Sequence, residues 1–173
     1  MFFIETERLK LIPLTHQLLQ LCYANRAEME QALGLNISAM QVAPFYRAEY
    51  EDALLNFWLP NSLKYPDKYQ WYTTWEIVLK ETNTAVGGIG FAGYANEAGE
   101  AETGYMIDEL QQRKGYATEA LRAITNWAFE DEYVKAVIAQ TPADNSASQK
   151  LLEKAGFMYI NETESLLKFR RTR

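Results

Sequence analysis

The segment Gln112-Arg113-Lys114-Gly115-Tyr116-Ala117 lies between a stretch that predicts a strand and one that predicts an amphipathic helix. Gly115 and the small Ala117 allow backbone N–H groups to approach a ligand closely. The following helix offers unpaired N–H groups and the positive end of its dipole, both of which favour an anion. Arg113 and Lys114 add positive charge there. The segment Arg113–Thr118 therefore predicts a pyrophosphate-binding turn, unless it is an ordinary tight turn whose basic residues face water.

The rest of the chain alternates between strand and helix patterns around this turn. Seven stretches have the residue pattern of strands: 8–12, 71–79, 85–91, 100–107, 136–139, 158–163 and 167–171. Four have the apolar spacing of helices: the stretch after Thr15, about 47–63, about 118–130, and the stretch that Asn145 opens and Gly156 closes. Short loops between the strands of residues 71–107 indicate an antiparallel meander. The order predicts an α/β (α+β) fold.

Length and composition limit the classes of protein that fit. The 173 residues suit one domain, and no run approaches the ~18 apolar residues of a membrane span. The acidic start, Met1–Arg8, differs from a secretory signal, so a cytoplasmic location is expected. A single cysteine, Cys22, and a single histidine, His16, argue against an internal disulfide and a Cys- or His-rich metal site. Cys22 falls on an apolar helical stripe and is expected in the core.

The net charge of −6 argues against a nucleic-acid partner, because phosphate contacts supply most of that affinity. It suits a cationic amine substrate, although it could equally serve solubility alone.

A second glycine pattern competes for the phosphate-binding role. Gly88-Ile89-Gly90-Phe91-Ala92-Gly93 fits the G-x-G-x-x-G pattern of dinucleotide-binding folds, which would make the chain a nucleotide-binding domain. That pattern works only where a helix begins at the glycines. The next residues, 94–100, have no apolar helical stripe, so a strand end and hairpin loop are expected.

Four motifs in order resemble a known family. Gln112-x-x-Gly115-x-Ala117 matches the Q/R-x-x-G-x-G/A acetyl-CoA signature of the GNAT N-acetyltransferases. The wider context is similar to the RimJ/RimL-like branch, which includes the ribosomal-protein alanine N-acetyltransferases. The segments that carry this likeness are 6–14, 101–105, 114–121 and 145–157, within about residues 5–160.

This resemblance implies a central, mixed, mostly antiparallel twisted sheet of about 6–7 strands flanked by about 4 helices. The fourth and fifth strands would splay apart to admit the pantetheine arm of acetyl-CoA, the co-substrate, and no metal would be needed. The implied cofactor-binding residues are Tyr105, Met106, Ile107, Gln112, Arg113, Lys114, Gly115, Tyr116, Ala117, Thr118 and Asn145. For the first three the contact would be through the backbone, and Asn145 could instead cap its helix.

The resemblance also implies direct attack by an amine, without an acetyl-enzyme. Glu102 occupies the position of the family's base, unless it simply faces solvent as Glu100 is expected to do. Ser148 matches the serine proposed as general acid in the RimL-like group, unless it is only a first-turn helix serine. Other GNAT enzymes place a tyrosine where this chain has Leu152, so Tyr105 is the nearest alternative donor.

The class of amine acceptor can be argued from the free energy needed to deprotonate the amine. A lysine amine of pKa ~10.4 costs ~4 kcal/mol to deprotonate near neutral pH, whereas an α-amine near ~7.8 costs little. One glutamate therefore suits an α-amine, or another amine of lowered pKa. Five aromatic residues could line the acceptor cleft or pack in the core: Tyr65, Tyr69, Trp71, Tyr72 and Trp75. A non-catalytic acyl-CoA-binding module remains the alternative, and either a monomer or a homodimer is compatible with the sequence.

Overall fold

The computed structural model describes residues 1–173. The eight strands are β1 Ile4–Glu5, β2 Leu9–Pro13, β3 Thr74–Leu79, β4 Thr84–Phe91, β5 Glu100–Ile107, β6 Ala136–Pro142, β7 Met158–Thr163 and β8 Leu166–Thr172. The six α-helices are α1 His16–Ala24, α2 Arg26–Ala32, α3 Pro44–Ala53, α4 Leu59–Lys64, α5 Tyr116–Ala128 and α6 Ser146–Lys154. A π-helical turn, Leu54–Trp58, joins α3 to α4, and 3-10 turns cover Pro66–Trp71 and Glu109–Gln111.

All eight strands belong to one open sheet in the order β1-β2-β3-β4-β5-β6-β8-β7. Every neighbouring pair is antiparallel except β5 and β6, which are parallel. The predicted mixed, mostly antiparallel sheet is confirmed. The added strand is β1, whose two residues are too few to show an alternating pattern.

The helices number six rather than about four for two local reasons. The seven residues of α2 bury only Met29 and Glu30, too short a stretch for a helical period to stand out. The single helix predicted at about 47–63 is a continuous helical stretch that the π-turn divides into α3 and α4. Thr15 caps α1 and Asn145 caps α6, as their positions predict.

The sheet splays between β5 and β6, which are the fourth and fifth strands of the sequence prediction. Their pairing runs only from Glu100 opposite Ala136 to Thr103 opposite Ala139. Beyond that point β5 continues beside β4 as far as Ile107, whereas β6 continues beside β8 as far as Pro142. The two strands therefore border an opening at this end of the sheet, as the resemblance implies.

Helices cover both faces of the sheet. The larger core lies under α5 and α6 and includes Trp75, Ile89, Leu121 and Phe169. On the opposite face α1, α2 and the π-turn enclose a smaller cluster that includes Leu19 and Met29. Alternation along each strand then decides which face a side chain reaches.

The competing glycine pattern has no helix. Gly88 and Gly90 lie inside β4, and Gly93 lies in the turn that follows, at a φ of +105°. Because no helix N-terminus meets these residues, the nucleotide-binding alternative is wrong and the strand-and-hairpin prediction is confirmed. None of the helices combines the length and the apolar character needed to cross a membrane.

Candidate active site

The turn before α5 has an unusual backbone. Arg113 has a φ of +63° and Gly115, the N-cap residue of α5, has a φ of +83°. No side chain caps this helix, so the N–H groups of its first turn have no side-chain acceptor. Unpaired N–H groups at the positive end of a helix dipole suit an anion. Gly115 therefore has a backbone conformation that glycine adopts readily and other residues do not.

The residues of this turn that are expected to bind the cofactor differ in their contacts and burial. The side-chain amide of Gln112 donates to the Ile107 carbonyl at 3.3 Å, which links the turn to the end of β5. Lys114 Nζ donates to Gln111 Oε1 at 2.8 Å. Ala117 is buried, so its small side chain lets α5 pack closely on the sheet. Arg113 is exposed, and Tyr116 and Thr118 are half-buried.

Arg8 is a residue at this turn that sequence reasoning missed. Its guanidinium donates to the Lys114 carbonyl at 2.8 Å and lies over the Tyr116 ring at 4.7 Å. A Cβ on Gly115 would come within 3.3 Å of Arg8 Nη2. Arg8 was placed only in the first strand motif, and no signal in the sequence indicates that it approaches a turn more than 100 residues away.

Glu119 holds Arg8 in this position. Its Oε2 accepts from Arg8 Nε at 2.7 Å, while Oε1 accepts from the Arg8 backbone N–H at 2.9 Å and from the Thr6 hydroxyl at 2.6 Å. Partial burial acts to raise the pKa of Glu119, but these hydrogen bonds and the Arg8 charge outweigh it, and the pKa is lowered. The carboxylate therefore stays ionised beside the turn.

The backbone of β5 has a free edge at the opening. From Gly104 to Ile107 this strand pairs with β4 on one side and with no strand on the other. Tyr105 and Ile107 pack against the α5–α6 core, so Glu102, Gly104 and Met106 point to the opposite face. A Cβ on Gly104 would have no neighbour within 4 Å, so the space above it is open.

Two hydroxyl groups meet at the opening. Tyr105 Oη and Ser148 Oγ are 2.9 Å apart and share a hydrogen bond. Ser148 lies in the first turn of α6, where its N–H donates to Asn145 Oδ1 at 3.1 Å. Burial raises the pKa of Tyr105, and the hydrogen bond from Ser148 offsets only part of that effect. The phenol therefore remains a proton donor well above neutral pH.

Glu102 lies at the same opening but on the other face of the sheet. Its side chain is exposed, and its Oε1 accepts from Gln140 Nε2 at 3.0 Å. Glu100, on the same face, is instead paired with Arg170 at 3.2 Å. Glu102 pairs with no such cation, and the Gln140 amide is its one hydrogen-bond donor. The structure thus separates two glutamates that look alike in the sequence.

This combination of a splayed sheet, a free strand edge and an uncapped helix agrees with the outcome of a family comparison. The model of the Acetyltransferase (GNAT) domain matches residues 8–158, which is most of the chain. The chain belongs to the GNAT acetyltransferase family. The resemblance stated from the four motifs is therefore confirmed.

Curated relatives in this family are Bacillus proteins. The chain is 41% identical over 87 residues to the uncharacterised N-acetyltransferase YjdG of Bacillus subtilis, a match covering 50% of this chain and 52% of that protein. It is 34% identical over 83 residues to YoaA of the same organism, covering 48% and 47% respectively. The chain thus spans about half the length of the curated GNAT relatives it matches.

Solved structures of GNAT proteins share the whole fold. RimL, a ribosomal L7/L12 α-N-protein acetyltransferase in complex with coenzyme A, has a TM-score of 0.66 at 17% identity, over 99% of this chain and 98% of that one. The ribosomal-protein-S5-alanine acetyltransferase of Vibrio fischeri has a TM-score of 0.64 at 16% identity, over 99% and 97%. At this identity the likeness establishes the fold, which is that of the RimL-like members.

The GNAT fold implies acetyl-CoA, and the residues present fit it. The opening exposes a free strand edge to an extended arm, and the uncapped start of α5 presents N–H groups to a pyrophosphate. Asn145 Oδ1 already caps α6, which leaves its amide group for a ligand. No group of three or more His, Cys, Asp or Glu side chains is arranged to hold a metal ion.

The aromatic candidates for the acceptor cleft differ in how far they are buried. Trp71 and Trp75 are buried in the larger core, as core residues would be. Tyr65 and Tyr72 stack at 4.6 Å and are only partly covered, and a Cβ on Gly93 would meet the Tyr72 ring. Cys22 is buried, and burial raises the pKa of its thiol, so its predicted place in the core is confirmed.

Proposed function

We propose that residues 1–173 form one catalytic domain that transfers the acetyl group of acetyl-CoA to a primary amine by direct attack. The observation that carries this proposal is the Tyr105–Ser148 hydroxyl pair, 2.9 Å apart, at the splayed opening between β5 and β6. A non-catalytic acyl-CoA-binding module would have no need of a proton donor at that point. The family, the fold and the free edge of β5 support the same activity.

Backbone groups would hold the co-substrate. The N–H groups between Arg113 and Thr118 would take the pyrophosphate, with Arg8 beside them. The free edge of β5 would take the extended arm through the backbone groups of Tyr105 and Ile107, by hydrogen bonds like those of an added strand. The backbone groups of Met106, which the resemblance also implies, face Gly88 of β4 instead. When bound, acetyl-CoA supplies an acetyl group already activated as a thioester.

Ser148 would deliver a proton to the leaving sulfur. Its hydroxyl is hydrogen-bonded to Tyr105, and the α6 N-cap bond to Asn145 fixes its backbone. Tyr105 can then donate to Ser148 Oγ as that proton is given up. Because burial keeps the pKa of Tyr105 raised, its proton is present throughout the physiological range.

Glu102 would accept the proton of the attacking amine, directly or through a water molecule. The Gln140 amide orients its carboxylate, and the open space over Gly104 gives an amine access from the same face. Base and acid thus lie on opposite faces of the sheet, on either side of the opening. An exposed, singly hydrogen-bonded glutamate suits an amine that is already largely neutral, such as an α-amine.

We therefore propose an acceptor that is either the α-amine of a protein N-terminus or a small-molecule amine of lowered pKa. RimL and the S5-alanine acetyltransferase are named for ribosomal proteins, which supports the first class.

A thermal-shift screen with acetyl-CoA, followed by thiol-release assays with peptides and small amines, tests the proposal. We expect acetyl-CoA to raise the melting temperature and at least one amine to release CoA thiol. Glu102→Gln and Ser148→Ala should keep the thermal shift and lose about 100-fold or more in turnover. Acetyl-CoA binding without thiol release from any amine would instead support the non-catalytic module.

A further inference from the structure

The loop between α2 and α3 is tied by Asn36 to Thr82 and Asn83, and it is held at two further points beyond Asn36. The Ser38 N–H donates to Glu30 Oε2 at 3.0 Å, and the Ser38 hydroxyl donates to Glu30 Oε1. Three residues further on, the Gln41 N–H donates to Asp108 Oδ1 at 3.1 Å, and the Gln41 carbonyl accepts from the Glu109 N–H at 2.9 Å. The second half of this loop is therefore tied to the segment that follows β5.

Asp108 contacts both the turn that follows β5 and the loop that precedes α3. It is buried, with 7% of its surface exposed, and no cationic side chain pairs with it. Its Oδ1 accepts from the Leu110 N–H at 3.1 Å as well as from Gln41. The first bond caps the 3-10 turn Glu109–Gln111, which leads directly into Gln112 and the pyrophosphate turn. One carboxylate oxygen thus anchors the cofactor turn and the loop before α3.

The helix that this loop introduces is anchored mainly at its far end. Tyr50 packs beside Trp58 and its hydroxyl lies 3.5 Å from Cys22 Sγ, whereas no residue of α3 is fully buried and no side chain caps its N-terminus at Ala43. Gln41 is bonded to the residues that directly follow β5, so order at Gln41 decides where the chain before α3 lies relative to the end of that strand.

We infer that Asp108 is a positioning residue that couples the two substrate sites, because its carboxylate orders the cofactor turn and the approach to α3 together. This inference rests on the proposed function. Binding of coenzyme A at the turn stabilises the arrangement around Asp108, and that arrangement orders residues 38–46 on the acceptor side. By linkage, an amine that needs those residues ordered binds the coenzyme A complex more tightly than it binds the free protein.

Hydrogen exchange read by mass spectrometry, with coenzyme A alone as the probe, tests this coupling without a known acceptor. In the wild type, coenzyme A should slow amide exchange about fivefold or more both in residues 109–118 and in residues 38–46. In Asp108→Ala, residues 109–118 should still be protected at saturating coenzyme A. The exchange of residues 38–46 should not change when coenzyme A binds. Asp108→Asn keeps an acceptor oxygen and should restore the response.

Two further variants distinguish a loss of coupling from a general increase in amide exchange. Ser38→Ala removes a bond at the other end of the loop, so it should speed basal exchange yet keep the response to coenzyme A. Gln41→Pro removes the N–H donor while leaving Asp108 and its bond to Leu110 intact. The Gln41 carbonyl still accepts from the Glu109 N–H, so the response should weaken sharply rather than vanish, even if Asp108→Ala fails to fold.

The outcomes separate this inference from the proposed function. If coenzyme A protects neither segment of the wild type, the proposed cofactor site and the inference fall together. If residues 109–118 are protected and residues 38–46 are not, or if Gln41→Pro keeps the distal response undiminished, the inference alone is overturned.

Discussion

At the scale of single residues, the groups proposed to react are distinguished by their partners. Glu100 and Glu102 are two positions apart on β5, yet one pairs with Arg170 and the other contacts only the Gln140 amide. Ser148 would be an ordinary first-turn serine without the Tyr105 hydroxyl 2.9 Å away. Each assignment therefore depends on a neighbour that is far away in the chain.

Removing the Tyr105 hydroxyl should alter the pH dependence of turnover. Burial raises the pKa of Tyr105, so its donor form is present below that raised pKa and is lost only as pH rises through it. We expect wild-type kcat to hold up to about pH 10, the ordinary tyrosine value, and to decline beyond it. Tyr105→Phe should lower kcat about 10- to 100-fold and remove that decline. An unchanged alkaline decline in the variant would assign the titration to another group.

At the scale of elements, the turn before α5 combines a left-handed glycine with an uncapped helix. Its sequence, Gln112–Ala117, predicted a turn followed by a helix, because both signals are local to the chain. Element boundaries were less predictable where helices are short or irregular. The π-turn at Leu54–Trp58 and the seven residues of α2 show no clear period of 3.6 residues, so the pattern merged or missed them.

Gly115→Val should show whether Gly115 is needed for coenzyme A binding or for stability of the fold. A β-branched residue at a φ of +83° is strained by about 1–2 kcal/mol, and its side chain would crowd the approach to the N–H groups. We expect a modest drop in melting temperature and the loss of coenzyme A binding by calorimetry. Gly34→Val is the matched control, because Gly34 has a φ of +70° and open space around it. It should lose similar stability and keep full affinity, whereas equal affinity loss in both variants would make the Gly115 effect merely structural.

At the scale of the whole molecule, a buried ionic cluster joins the sheet to the face that α1 and α2 cover. Arg26 on α2 lies 2.5 Å from Glu76 on β3 and 3.2 Å from Glu30, and both carboxylates are 99% covered. Glu30 also holds Ser38, so this cluster supports one end of the loop before α3.

Arg26→Met should strongly destabilise the protein, because it leaves two buried carboxylates without a cation. We expect a loss of about 3–5 kcal/mol in the free energy of unfolding, measured with urea. Lys10→Met breaks the exposed pair with Glu5, whose atoms are 3.9 Å apart, and should cost less than about 1 kcal/mol. Equal effects of the two substitutions would show that the buried carboxylates take up protons or find water when Arg26 is removed.

The sequence by itself determined the order of most strands and helices, the need for a glycine-containing turn at Gly115 and the burial of Cys22. These features follow from side-chain period, turn chemistry and caps, which operate over a few residues of chain. The residues to consider as base and acid came instead from the resemblance to the GNAT family. Tertiary structure alone decided how far β5 and β6 diverge, that Tyr105 meets Ser148, that Arg8 lies at the cofactor turn and that Asp108 holds the loop before α3. Each of these depends on strand register and helix packing between segments that are 36 to 106 residues apart in the chain, where no local pattern carries information.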